Sequence, residues 1–219
     1  MKDKYLSIIT NFGCHYQCPE CVVKNNGLKM TKTNKWSSVE GLASVLKDSP
    51  DINWVSVSGG GDPLFHWWEN QLWWRYFFYT CKRAYNKKIE LHTSYQSTDE
   101  QFWFFPFEKF DRVVYHCHSI EDLFSVARKG NEIIKVVFVV SDDMTEEDVE
   151  EIADFVKINP NIDELSFRQR VDENYNTTYH LHDFLKAGHK KDWWYIEQND
   201  YNLYYHNGNV YTKYRDIFE

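Results

Sequence analysis

Three cysteines carry the sharpest chemical signal in the chain. Cys14, Cys18 and Cys21 stand in Cys14-His15-Tyr16-Gln17-Cys18-Pro19-Glu20-Cys21, directly after the apolar run Leu6-Ser7-Ile8-Ile9-Thr10. Thiolates at this spacing, on a loop leaving a first strand, can hold three irons of a 4Fe–4S cube. The fourth iron then has no protein ligand, and an open coordination position is where a substrate binds a metal. A structural zinc site is the rival chemistry, with His15 beside the trio. Zinc sites usually pair two short chelating turns, however, and no second C-x2-C or H-x3-H follows. His15 also follows Cys14 directly, which strains joint tetrahedral ligation by the two. A metal-stabilised binding module without catalysis is the reading that zinc would imply.

A second candidate is Ser58-Gly59-Gly60-Gly61-Asp62-Pro63-Leu64. Three glycines let a backbone turn tightly and approach a ligand without interference from Cβ atoms. Further polar residues fall at the ends of predicted strands. Leu91-His92-Thr93-Ser94-Tyr95 offers Ser94 or Thr93 to a ligand. In His116-Cys117-His118 the two-residue period puts both imidazoles on one face and the thiol on the other. Inward imidazoles would bind hydroxyls or act as acid and base, whereas an inward Cys117 would donate a hydrogen atom to a radical. Arg168 or Arg170, in Phe167-Arg168-Gln169-Arg170, suits a carboxylate or phosphate, with an exposed salt bridge as the ordinary alternative. Lys24, Lys29, Lys32 and Lys35 form a stretch without an acid, read as a solvated loop or as a lid over an anionic substrate. The Trp67-Trp68, Trp73-Trp74 and Trp193-Trp194 pairs could stack a planar ligand, although filling core and grooves is their commoner use.

Six β-branched apolar segments must position these groups: Tyr5–Thr10, Asn53–Ser58, Lys88–Thr93, Arg112–His118, Glu132–Val140 and Asp163–Arg168. The fifth is almost continuously apolar, as a strand covered on both faces should be. Helix signals lie between them. Ser37-x-x-Glu40 has the form of a capping box, and Thr145 precedes the acidic turn Glu146-Glu147-Asp148. A helix over Ile120–Lys129 would end at Gly130, and Pro50 and Pro160 would stop two others. Strand–helix alternation over six units implies parallel strands with right-handed crossovers. After residue 170 the alternation fails; Asn202–His206 and Val210–Tyr214 flank Asn207-Gly208-Asn209, a hairpin signal. Residues 1–170 therefore read as the core and 171–219 as a C-terminal cap.

The two motifs together resemble the radical S-adenosylmethionine (radical SAM) superfamily. There a C-x3-C-x2-C loop follows the first strand of a partial (β/α)6 barrel, and a Gly-Gly-Glu-Pro-like segment ends the second. Cys14, Cys18 and Cys21 match the first motif, and Gly60-Gly61-Asp62-Pro63 the second, with Asp62 in place of the usual Glu. The position before the third cysteine is often aromatic in the family and is Glu20 here, so Tyr16 is the candidate for the missing ring. The resemblance covers about residues 5–170 and implies a 4Fe–4S cluster whose open iron is chelated by S-adenosyl-L-methionine. Reductive cleavage to a 5′-deoxyadenosyl radical would follow, with flavodoxin or ferredoxin as reductant. Gly59, Gly60, Gly61, Asp62, Pro63, Ser94, Tyr16 and Arg168 are the expected cofactor contacts, and His116, Cys117 and His118 the expected catalytic groups.

Size and charge bound the substrate. The chain has 219 residues and a formal net charge of −8, which argues against a general nucleic-acid binder. Beyond the trio only Cys81 and Cys117 remain, too few for a second cluster with its own ligand set. No long apolar run occurs, and the charged start Met1-Lys2-Asp3-Lys4 runs straight into structure, so a cytoplasmic protein is expected. A small-molecule or nucleotide-like substrate is the expectation for so compact and acidic a chain. A peptide-modifying or a glycyl-radical-activating enzyme is the alternative.

Overall fold

The computed structural model describes residues 3–18, 21–25, 27–96, 103–172, 176–188, 192–197 and 203–218. The six apolar segments form β1 (Tyr5–Thr10), β2 (Trp54–Gly59), β3 (Lys88–Thr93), β4 (Arg112–Cys117), β5 (Ile133–Val140) and β6 (Glu164–Gln169). They pair side by side, in sequence order and in parallel. Three more strands extend both edges. β7 (Trp194–Ile196) adds to β6, and β8 (Leu203–His206) adds to β1, both in parallel. β9 (Asn209–Tyr211) returns antiparallel on β8. The segment after residue 170 thus supplies both outer edges of the sheet.

Alternation along the strands explains the curl. Leu6, Ile8, Val55, Val57, Ile89, Leu91, Val113, Ile134, Val136 and Phe138 face outward and are buried. They pack in one core with Leu42 and Leu46, Trp73 and Phe77, and Val149 and Ile152. These belong to helices α2 (Ser37–Asp48), α3 (Gln71–Phe78) and α5 (Glu146–Ile158), α1 (Val22–Asn25) being a single turn after the cysteine loop. Burying each such side chain stabilises the fold by about 1.5–3 kcal/mol relative to exposure. The intervening positions, from Ser7 and Ser56 round to Arg168 and Ile196, line one shared cavity. A sheet whose one face encloses a cavity while the other carries helices is a partial barrel.

Local signals held unevenly. Thr145 caps α5 in a reciprocal box with Asp148, and Ser49 and Asn159 end α2 and α5 just before Pro50 and Pro160. Ser37 forms no capping box: Asn34 Oδ1 instead accepts from the amides of Trp36 and Ser37, each at 3.0 Å. The helix expected over Ile120–Lys129 is the single turn α4 (Ile120–Leu123), whose Ser119 and Asp122 cap each other. Beyond it, Glu132 takes over the chain, its carbonyl accepting from Arg128 and its carboxylate from the Lys129 amide. The β8–β9 hairpin turns on Asn207 and Gly208, both at positive φ, as a two-residue hairpin loop requires. Asn202 and Glu20 lie outside the described residues.

Candidate active site

Two loops at the C-terminal ends of β1 and β2 meet at the cavity mouth. The Gly60 amide donates to Thr10 O at 2.8 Å, and the Asp62 amide to Gly13 O at 3.0 Å. This approach leaves no room at Gly61: a Cβ there would lie 2.0 Å from Gly13 O and 3.3 Å from the Cβ of Cys14. The glycine run therefore fixes the cysteine loop by close packing of backbone on backbone. Gly13 itself adopts φ +116, open to glycine but strained for other residues.

Asp62 braces the same junction from beneath. Its buried carboxylate accepts from the Leu64 amide at 2.9 Å, the Ser94 amide at 2.7 Å and the Thr93 hydroxyl at 3.0 Å. Burial pushes this carboxyl upward, against the lowering effect of the Ser94 and Leu64 amides. Thr93 and Ser94 thus act on the loop through Asp62, while Gly59, Gly60, Gly61, Pro63 and Ser94 border the cavity.

Cys14, Cys18 and Cys21 border it too, half-buried and outside any disulfide. The Lys24 amide donates to Cys21 Sγ at 3.4 Å, and the Lys24 ammonium to Tyr16 O. Cys18 Sγ lies 3.6 Å from His118 Nε2. Tyr16 stacks on the His118 ring, with centroids 4.9 Å apart and planes 15° apart, and His15 packs on Tyr95 at 3.8 Å. Desolvation raises the Tyr16 phenol. Among the described residues no three His, Cys, Asp or Glu side chains converge on a single ion position. A cube spreads its thiolates over separate irons, so three cysteines ringing one cavity mouth fit such a group.

Of the strand-end residues, His116 and His118 line the cavity, as does Arg168. Cys117 does not stand with them. It is 4% exposed and sits in the apolar core on the opposite face of β4. The two-residue period that turns both imidazoles inward turns the thiol outward, and burial pushes its pKa up. Arg170 pairs with Asp142 at 3.3 Å. The Lys-rich stretch is strapped to its neighbours: Asn11 Nδ2 donates to Met30 O, Thr31 Oγ1 contacts His206 and Lys35 donates to Glu69 O. Trp73 and Trp74 are core, whereas Trp194 borders the cavity.

Deeper in the cavity, of about 770 Å³, lies a charged layer that the motifs did not reveal. Arg112 spans the floor. Its guanidinium donates to Glu90 at 2.9 Å and to Glu164 at 3.3 Å, and stacks on Trp54 with its centre 4.7 Å from the ring centroid. Glu90 also meets His92 Nε2 at 2.9 Å, and His92 Nδ1 meets His116 Nε2 at 2.9 Å. Despite its burial, the His92 and Arg112 partners hold the Glu90 carboxyl down to about 2. Burial, with the nearby charges of His92 and Arg168, drives His116 well below the usual imidazole range. Lys135 faces the same space from β5, and desolvation lowers its ammonium. The legible signal was parity: Glu90 and His92, Arg112 and His116, and Glu164 and Arg168 recur at even spacing in buried strands.

No family model matches the chain, and no curated protein matches it. Solved structures do. The fold is similar to that of Streptococcus suis SuiB bound to S-adenosylmethionine, at 15% identity and a TM-score of 0.56, covering 85% of this chain and 46% of that one. It is similar to SuiB bound to precursor peptide SuiA, at 15% identity and a TM-score of 0.55, covering 85% and 44%. The chain thus spans less than half the length of the structures it matches. Among the described residues no helix is long and apolar enough to cross a membrane. The α/β partial barrel of this chain is similar to the fold of less than half of SuiB.

Proposed function

We propose that this chain is the barrel core of a radical SAM enzyme. The observation that carries the reading is the cysteine trio at the mouth of the barrel cavity, locked by Gly61 against the loop after β2. Cys14, Cys18 and Cys21 would hold a 4Fe–4S cluster. Bound there with S-adenosyl-L-methionine, the cluster supplies one-electron cleavage of the sulfonium and hence an oxidant for hydrogen-atom abstraction. Backbone carbonyls of Gly59–Gly61 would accept from the methionine amine, and Asp62 holds that backbone in place. Tyr16 and His118 form a stacked shelf beside Cys18, where an imidazole N–H can donate to a thiolate. Flavodoxin or ferredoxin would supply the electron.

For the substrate, the peptide reading now has more support than a small molecule or nucleotide, because the shared fold is also seen with a precursor peptide bound. The test is anaerobic reconstitution with iron and sulfide, followed by dithionite and S-adenosylmethionine. A visible cluster band and released 5′-deoxyadenosine are expected, and both should vanish in Cys18→Ala. A colourless protein with one tightly held zinc would end the reading.

A further inference from the structure

One stretch marked by its charge plays no part in the cavity. From Cys21 to Val39 the chain holds Lys24, Lys29, Lys32 and Lys35 and no acid, in a protein whose formal net charge is −8. Lys24 is committed to Tyr16 O. Lys29 and Lys32 are exposed, and among the described residues neither ammonium makes an ion pair or a hydrogen bond.

The backbone places these ammoniums behind the cysteine loop. Asn11, three residues before Cys14, donates from its amide to Thr33 Oγ1 at 2.6 Å and from Nδ2 to Met30 O at 2.9 Å. Asn207 Nδ2 donates to Lys32 O at 2.9 Å. The Met30 thioether lies against Gly60, its sulfur 2.5 Å from where a Cβ would stand. Lys29 and Lys32 therefore flank residues that touch the ends of both motif strands. Leu28 borders the cavity, whereas Lys29, Lys32 and Lys35 do not.

The lysines run into an aromatic face. Lys35 donates to Glu69 O at 3.0 Å, and Trp36 packs on Tyr76 of α3 with ring centroids 5.5 Å apart. Trp36 is 55% exposed and Tyr76 42%. Arg75 beside them is exposed and makes no ion pair among the described residues. The acids at this end are Glu40, on the first turn of α2, and Glu69, which already meets His66 Nδ1 at 3.2 Å. Exposed aromatic and arginine side chains together mark an interface, and unpaired ammoniums select an acidic partner.

We propose that the face formed by Lys29, Lys32, Lys35, Trp36, Arg75 and Tyr76 docks a small acidic electron-carrier protein. The proposal rests on the radical SAM reading given above and adds the place where its electron enters. A substrate must enter the cavity, and these side chains stand outside it. An electron needs only packed atoms between donor and acceptor, and Met30 against Gly60 supplies them. In the transfer the carrier loses one electron and the cluster held by the three cysteines gains one. No bond forms or breaks in this chain, and no proton moves.

The test titrates an acidic flavodoxin into the purified chain by calorimetry, at low and at physiological salt. Wild-type affinity should fall as salt rises, and Lys29→Glu/Lys32→Glu should weaken binding at least about tenfold. Lys109→Glu, at the opposite end of the barrel just before β4, should bind within about twofold of wild type. After reconstitution, the double variant should slow cluster reduction by flavodoxin about tenfold and leave reduction by dithionite within about twofold. Unchanged binding in the double variant, an equal loss in Lys109→Glu, no binding by wild type, or equally tight binding of a capped Glu-Gly repeat peptide would each overturn the proposal. Acetylation footprinting of the wild-type chain needs no variant. Flavodoxin should protect Lys29, Lys32 and Lys35, and protection confined to other lysines refutes the docking face. Cluster loading is scored separately on the same preparation. A chain that binds flavodoxin at this face but takes up no cluster sinks the enzyme reading alone. A loaded cluster with no protection of these lysines sinks this proposal alone.

Discussion

His92 Nδ1 and His116 Nε2 meet at 2.9 Å across β3 and β4, inside a barrel whose inward positions carry charge. The contact ends a chain that starts at Arg112 and passes through Glu90. Its consequence is a pH dependence of stability. His116 is held neutral in the fold, whereas an unfolded imidazole takes a proton near pH 6.5. The unfolded chain therefore binds more protons below that point, and stability falls as pH drops through about 6.5. By pH 5.5 the loss attributable to His116 should reach about 1 kcal/mol. Urea melts at pH 7.5 and 5.5 check this: His116→Gln should show a shallower decline than wild type, and equal declines would refute the assignment.

Glu90 carries a dependence of the same sign in a lower pH window. Its carboxyl is held down to about 2, so its contribution is complete above the ordinary carboxylate range and fades as pH falls toward that value. Replacing it should strand the Arg112 charge in the barrel floor. Glu90→Gln should cost about 3 kcal/mol or more, as removal of one partner from a buried pair does. A variant within about 0.5 kcal/mol of wild type in denaturant melts would show that water already relieves this network.

Glycines at the mouth differ in what they protect. Gly61→Ala would drive a Cβ into the Gly13 carbonyl, where neither backbone can give cheaply. The expected result is destabilisation by about 1–3 kcal/mol together with loss of iron loading, since the cysteine loop must move. Gly27→Ala is the contrast. It meets no atom within 4 Å but holds φ +64, so it should cost about 1 kcal/mol and leave iron content intact. Equal iron loading in both variants would contradict the role given to Gly61.

The placement of Cys117 separates two cysteine chemistries. Cys117→Ala should lose about 1 kcal/mol of stability from a small core void, with iron content and S-adenosylmethionine cleavage within twofold of wild type. Cys18→Ala should lose both. If Cys117→Ala abolished turnover while retaining full iron, the thiol would have to reach the cavity after all.

These contrasts show what was legible in the chain. Strand positions were, because Ile133-Ile134-Lys135-Val136-Val137-Phe138-Val139-Val140 can be satisfied only by burial on both faces. The cysteine and glycine loops were, because their residue types have few other uses at that spacing. Ser37 misled, since Asn34 reaches the same amides from outside the helix. The stretch after Leu123 misled because local bonds from Arg128 and Lys129 to Glu132, with long-range bonds from Arg128 to Asn161 O and Asp163, replaced the helical ladder. The barrel floor was hidden for a different reason. Glu90, Arg112 and Glu164 lie on three separate strands, and only the register brings them together.

His118 poses the sharpest question for the account, because its Nε2 lies 3.6 Å from Cys18 and so beside the position proposed for the cluster. The direct measurement is electron–nuclear double resonance on the reduced, reconstituted protein with S-adenosylmethionine labelled at its amine nitrogen. A coupling from the labelled nitrogen, unchanged in His118→Ala, is the predicted result. A coupling from a histidine nitrogen that persists with the cofactor present, and disappears in His118→Ala, would contradict it.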